Sequence, residues 1–181
     1  LPMLGPCSLT FQLSIYSNIP ADGNWSRPGE LLWSGVFSPG GYTVNQLQKE
    51  VWQDWFNPAT GFYEPDNHKL TFQYNFYIDS NDAFEQSEGN TYWLVVQARR
   101  GDYDRDYKFG WKTTRFNLRW NDDAVFLQSP PYGWYPLKYP PTHQYDGNSL
   151  DLAFAITGMW TCSDLGDAPD STNSWLNEQM T

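Results

Sequence analysis

Lys69-Leu70-Thr71-Phe72-Gln73-Tyr74-Asn75-Phe76-Tyr77-Ile78 is the stretch whose reading decides the fold. Leu70, Phe72, Tyr74, Phe76 and Ile78 alternate with mostly polar neighbours, and a period of two puts the two sets on opposite faces of an extended strand. One face is therefore expected to be buried. The same alternation runs through Leu9, Phe11, Leu13 and Ile15 in residues 8–16, and through Leu150, Leu152, Phe154 and Ile156 in residues 150–157. Both segments read as core strands. Shorter apolar runs at 30–37, 91–98, 108–112 and 124–127 are rich in aromatic and branched residues and read as further strands.

Turn-forming clusters punctuate these runs: Asp22-Gly23, Pro28-Gly29, Pro39-Gly40-Gly41, Asn57-Pro58, Glu88-Gly89-Asn90, Ser129-Pro130-Pro131 and Asp146-Gly147-Asn148. This spacing predicts an all-β chain folded as an antiparallel β-sandwich of jelly-roll-like type. Helix signals are thin. Residues 44–56 carry glutamines ahead of an aromatic cluster and residues 81–86 suit a single turn, so at most two short helices are expected. From Met159 the alternation stops, and the acidic stretch from Cys162 to Asp170 reads as an extended linker. The expected organisation is a sandwich domain over residues 1–158 followed by a tail over 159–181.

A chain of 181 residues is long enough for one sizeable core, and aromatic residues at 18% argue against disorder. Asp and Glu total 21 against 11 Lys and Arg, a net charge of -10 that repels polyphosphates, so nucleic acid is not an expected partner. No apolar run approaches the roughly 20 residues that cross a bilayer, and membrane insertion is not expected. Leu1-Pro2-Met3-Leu4-Gly5 has no charged region ahead of an apolar one, so the chain is expected to begin after any targeting signal. Cys7 and Cys162, one near each end, suit a closing disulfide in an oxidising compartment; two independent cysteines, one of them a small core residue, are the alternative. Asn24-Trp25-Ser26 fits the N-glycosylation pattern, a triplet that also arises by chance.

Nucleophilic catalysis needs an activated Ser or Cys beside a base, and His68 and His143 come with no nucleophile-elbow glycine pattern. Two His and two Cys without ligand spacing give no zinc site. Glycosidase chemistry asks for two facing carboxylates, and an acidic chain supplies Glu30, Glu50, Asp54, Glu64, Asp122, Asp123 and Asp151 without singling out a pair. A non-catalytic protein without a cofactor is expected. Calcium is the candidate exception: Asp102, Asp104 and Asp106 alternate as hard oxygen ligands would, although Arg99, Arg100 and Arg105 can simply neutralise them. Asp122 and Asp123 form a second candidate, with turn capping as its alternative.

Aromatic residues also cluster outside the alternating strands. Trp52, Trp55 and Tyr63, with Phe56 and Phe62, form one group, while Tyr132, Trp134 and Tyr139, with Tyr135, form another. An exposed aromatic face suits the CH and OH surface of a saccharide, which makes these residues glycan-stacking candidates. Aromatics beside prolines also seal loops onto a sandwich, and that reading stays open.

Several segments taken in order, among them Ile15-Tyr16-Ser17-Asn18-Ile19-Pro20, Pro28-Gly29-Glu30-Leu31-Leu32-Trp33, Asn57-Pro58-Ala59-Thr60-Gly61, Tyr92-Trp93-Leu94-Val95-Val96-Gln97-Ala98, Phe109-Gly110-Trp111-Lys112-Thr113 and Trp120-Asn121-Asp122-Asp123-Ala124-Val125, carry a family likeness. Over about residues 8–158 the chain resembles an uncharacterised extracellular β-sandwich domain of large secreted planctomycete-type bacterial proteins. Asp164-Leu165-Gly166-Asp167-Ala168-Pro169-Asp170-Ser171 resembles the opening of a GEVED-type extracellular segment. The resemblance implies secretion and a modular cell-surface context, and it transfers no catalytic residue. It also implies a piece of a longer protein, with at least one further strand-like segment ahead of Leu1.

A sandwich lacking a strand leaves an unpaired edge and an apolar groove. A neighbouring copy can fill it by strand donation, with residues 159–181 as the available donor. Three functions follow as expectations: a structural or assembly module whose partners are copies of itself or other extracellular modules, a carbohydrate-binding module, and a glycoside-active enzyme.

Overall fold

The computed structural model describes residues 8–48, 51–100, 109–120, 122–128 and 132–158. Nine strands run through them: β1 (Leu9–Ile19), β2 (Arg27–Phe37), β3 (Tyr42–Gln48), β4 (Gln53–Asn57), β5 (Phe62–His68), β6 (Thr71–Phe76), β7 (Tyr92–Arg100), β8 (Val125–Gln128) and β9 (Gly133–Pro136). All pairings between them are antiparallel. No α-helix occurs among the described residues, and a 3-10 turn spans Phe116–Leu118. The all-β antiparallel fold expected from the alternation is the fold found.

β1 is the central strand of a sheet ordered β2-β1-β7, while β3-β6, β4-β5 and β8-β9 form two-stranded sheets. The alternating pattern in β1 does what a period of two demands: Phe11, Leu13 and Ile15 are buried on one face. Phe11 is 1% exposed and inserts between the sheets, meeting Tyr42 of β3 at 5.3 Å and Tyr74 and Phe76 of β6 at 4.8 and 5.2 Å. Phe109 closes a fourth side at 5.4 Å. Ring pairs at these separations and tilts are favourable beyond the area they bury. The core thus sits between β2-β1-β7 and β3-β6.

Ser38-Pro39-Gly40-Gly41 carries the chain from one layer to the other. Gly41 N–H donates to the Ser38 carbonyl at 2.8 Å, and Gly40 takes φ +96°, as a type II turn with proline at its second position requires. β1 and β2 slip register at Tyr16, so the ladder bends there.

Four expectations need correction. Residues 150–157 do not form a core strand: Leu150 is buried and Leu152 bridges Thr113, but Phe154 and Ile156 are exposed because no described layer covers them. Residues 109–112 likewise stay outside any strand, held by the Ala153 N–H donating to the Lys112 carbonyl at 2.8 Å; Lys108 lies outside the described residues. Residues 44–56 contribute to β3 and β4 rather than to a short helix. Pro28-Gly29 lies within β2 rather than in a turn, with Pro28 near the strand start opposite Asn18.

Candidate functional site

Two surfaces stand out. The first is the free side of β2. β1 pairs with one side of β2, and among the described residues no backbone hydrogen bond reaches the other. Trp33, Val36 and Phe37 line a depression of about 470 Å³ together with Tyr77, Ile78 and Asp82. Trp33 Nε1 donates to the Asp82 carbonyl at 2.7 Å, which pins the far wall to the strand. Val36 and Tyr77 are 67% and 74% exposed. From Leu31 to Phe37 the strand carries no charged residue and no proline, the devices that normally blunt an edge.

The second surface is built by the β4-β5 hairpin and the 139–148 loop. Asn57-Pro58-Ala59-Thr60-Gly61 closes the hairpin, with Gly61 N–H donating to the Asn57 carbonyl at 2.9 Å. Pro65 and Asp66 interrupt the ladder as a bulge, and Asp66 adopts φ +52°. That kink aims the Asp66 N–H at Asp54 Oδ1, 3.0 Å away, while Tyr63 donates its hydroxyl to Asp54 Oδ2 at 2.6 Å. Burial pulls the Asp54 carboxyl upward, but the Tyr63 and Asp66 hydrogen bonds, with His143 and His68 beyond, outweigh it and hold the group below its ordinary value. Tyr63 is pushed up to about 12, by burial first and by Asp54 next.

The 139–148 loop is tied at its neck, where the Tyr139 N–H meets the Asn148 carbonyl at 3.0 Å and the Gly147 N–H meets the Tyr139 carbonyl at 3.1 Å. Tyr139 and His143 stack inside it at 4.6 Å and 17°, with Tyr145 edge-on to Tyr139 at 5.4 Å. The Tyr145 N–H donates to His143 Nδ1 at 3.1 Å, which leaves the proton of the neutral ring on Nε2, 3.9 Å from Asp54 Oδ2. Tyr139, His143 and Tyr145 wall a groove of about 560 Å³ whose floor includes Lys112, Thr114 and Arg115. Lys112 donates to the Gln53 side-chain carbonyl, and burial around the ammonium lowers its pKa although the residue as a whole is well exposed.

The structure brings together two of the six glycan-stacking candidates, Tyr63 and Tyr139, on either side of His143. Trp55 is half-buried with Gly110 against its ring, and its Nε1 is buried with no hydrogen-bond partner among the described residues. Trp52 is exposed with the Lys69 ammonium 4.3 Å over its ring. Trp134 lies in β9, half-buried against Tyr16 at 6.4 Å, and Tyr132 is 82% exposed. Asp122 accepts from Ser26 Oγ and caps the Asp123 N–H at 3.1 Å, the turn-capping arrangement. No group of three or more His, Cys, Asp or Glu side chains poised for a metal occurs among the described residues. Asp102, Asp104, Asp106, Cys7 and Cys162 lie outside the described residues, and Asn24 is exposed in the β1-β2 loop.

Sequence reasoning passed over Lys112, Arg115, Tyr145 and the stacking of His143 on Tyr139. Two prolines between flanking tyrosines, in Tyr139-Pro140-Pro141-Thr142-His143-Gln144-Tyr145, were the available signal of a tight aromatic loop.

No curated protein and no solved structure matches the chain. A family model described as Domain of unknown function (DUF7901) matches residues 5–157. That span takes in every strand of the fold, and the chain belongs to the DUF7901 family.

Proposed function

We propose that this chain is a non-catalytic assembly module of an extracellular surface or filamentous protein, completed along the β2 edge by a strand from a neighbouring copy. The observation that carries the reading is the uncharged run from Leu31 to Phe37, whose side away from β1 has no strand partner among the described residues, beside a groove rimmed by exposed Val36 and Tyr77. An edge of this kind is a template for β-augmentation, in which main-chain hydrogen bonds supply affinity and side-chain pockets supply register. β7 is the other outer strand of the same sheet, and a copy that offers a different edge makes a head-to-tail contact that propagates as a filament. The donor suggested by sequence, residues 159–181, lies outside the described residues.

The absence of catalysis is part of the proposal. It draws support from Asp54, whose oxygens are taken up by Tyr63 and Asp66, and from His143, whose two nitrogens face Tyr145 N–H and Asp54. Secretion, a planctomycete-type modular parent and a following GEVED-type segment rest on the sequence resemblance alone. Carbohydrate binding is a second reading, favoured by the projecting rings of Tyr132 and Trp52.

Sedimentation velocity over a concentration series tests the assembly reading. The chain is expected to self-associate, and Val36→Lys to remain monomeric with an unchanged unfolding midpoint. A wild-type chain that stays monomeric throughout, or a Val36→Lys chain that associates equally well, overturns the proposal.

A further inference from the structure

We propose that residues 164–170, an acidic segment outside the described residues, dock on the cations Lys112 and Arg115 of the same chain. The contact uses neither the β2 edge nor residues 171–181, so it stands apart from strand donation.

Charge points to the sign of the occupant. Acidic residues outnumber basic ones 21 to 11, yet two cations three positions apart line this one groove. Arg115 is exposed and makes no ion pair among the described residues. Lys112 makes its hydrogen bond to a neutral amide, Gln53, and keeps further N–H donors. Asp54 and Asp151 are engaged elsewhere, Asp54 with Tyr63 and Asp66, and Asp151 with the Trp120 and Ala124 N–H groups. An ammonium and a guanidinium without counter-charges favour incoming carboxylates.

The chain itself supplies them. No Lys or Arg occurs from residue 139 to residue 181, and Asp164, Asp167 and Asp170 recur at every third position. The rival segment, residues 101–108, offers Asp102, Asp104 and Asp106 but carries Arg105 and Lys108 to neutralise them. A polyproline-type helix, with three residues per turn, sets carboxylates of the 164–170 spacing on one side about 9 Å apart. Lys112 and Arg115 share that spacing, and the backbone at Arg115 is extended, with φ -67° and ψ 142°. Two of the carboxylates can therefore meet both cations at once.

Connectivity brings the segment within reach. Residues 150–153 run antiparallel to the groove floor: Leu152 bridges Thr113, and the Ala153 N–H donates to the Lys112 carbonyl at 2.8 Å. The stretch from Ala153 to Asp164 spans up to roughly 35 Å when extended, enough to turn back to the cation beside which it left. Exposed ion pairs are individually weak, but a tethered partner is present at an effective concentration on the order of millimolar.

Zero-length carbodiimide coupling of the whole chain at low ionic strength, read by peptide mass spectrometry, tests the contact. Lys112 is expected to couple to Asp164, Asp167 or Asp170 roughly fivefold more than the exposed Lys69 and Lys138 do, and within one chain when isotope-labelled and unlabelled chains are mixed. Salt at about 1 M, where screening acts within about 3 Å, is expected to abolish the difference. Arg115→Gln, at an exposed position that leaves folding intact, is expected to cut the coupling roughly threefold, while Arg115→Lys retains it. Coupling of Lys112 no greater than that of Lys69 and Lys138, or indifference to Arg115→Gln, overturns the proposal. Coupling to Asp102, Asp104 or Asp106 instead overturns it in favour of the 101–108 segment, and coupling between labelled and unlabelled chains overturns it in favour of a contact between copies.

Discussion

Phe11 of β1 and Tyr42 of β3 meet edge to face at 5.3 Å, and the Tyr42 hydroxyl donates to the Leu9 carbonyl at 2.7 Å. One pair of residues therefore joins the two layers twice, through a ring contact and through a polar tether to the strand that bears the other ring. Because Phe11 also touches Tyr74, Phe76 and Phe109, its side chain is the point where the core is most easily opened. Phe11→Ala is expected to cost about 3–5 kcal/mol, since four surrounding rings on different strands and loops cannot all collapse into the space. Urea unfolding measures it, and a cost below about 1 kcal/mol would show that the layers are joined elsewhere.

Tyr42→Phe separates the two links. The ring contact survives while the Leu9 carbonyl loses its donor, so a loss of about 1 kcal/mol is expected. A neutral result would assign the whole of Tyr42's contribution to packing.

The Asp54–Tyr63 hydrogen bond predicts opposite behaviour at the two ends of the pH scale. Asp54 is held below its ordinary 3.8, so its contribution to stability is present above that value and is lost as pH falls through the lowered one. Tyr63 is raised from 10.0 to about 12, so its contribution is present below 10.0 and is lost as pH rises toward 12. Ultraviolet titration should find a late-ionising phenol that disappears in Tyr63→Phe and ionises earlier in Asp54→Asn. A phenol spectrum unchanged by Tyr63→Phe would remove the pairing.

How much of this was legible beforehand depends on which physical signal each segment carries. β1 and β6 were readable because Phe11, Leu13 and Ile15, and Phe72, Tyr74 and Phe76, alternate onto a covered face. β3 was not, because only Tyr42 and Val44 mark its inward side before Gln46 and Gln48 break the apolar period. β5 was hidden by Pro65 and by its exposure: an outlying hairpin strand buries too little to impose alternation. Residues 150–157 misled in the opposite direction, since Phe154 and Ile156 continue the pattern beyond the layer that buries Leu150. The groove was illegible because Lys112 and Arg115 lie far from Tyr139 in the chain and only the folded loop sets them beside it.

Gly110 is predicted to be irreplaceable for want of space. A Cβ there would lie 2.5 Å from Cζ3 of Trp55, a ring wedged between the hairpin and the 109–112 segment. Gly110→Ala is expected to cost about 1–3 kcal/mol through displacement of that ring. Trp55→Leu in the same chain should relieve part of the added cost, because the clash is with the indole. A double-mutant cycle by urea unfolding measures the coupling, and strictly additive effects would show that the two residues do not touch.

Asp151 joins three segments: its carboxylate accepts the Trp120 and Ala124 N–H groups, and its own carbonyl accepts the Thr114 N–H at 2.9 Å. Burial raises the carboxyl above 3.8 and Asp123 adds to that, against the pull of the two amides and Arg119. A raised value means that the protonated form is the one favoured by folding, so the relative stability present below 3.8 is lost as pH rises through the folded value. Asp151→Asn keeps an acceptor and cannot ionise, so the difference in unfolding free energy between it and the wild type should change across that window and level off above it. Asp151→Ala instead strands both amides at every pH and is expected to cost about 1–3 kcal/mol beyond the Asn variant. Urea unfolding of the three chains at several pH values distinguishes the two effects. An Asn variant that tracks the wild type through the whole acid range would mean that Asp151 titrates as it does in the unfolded chain.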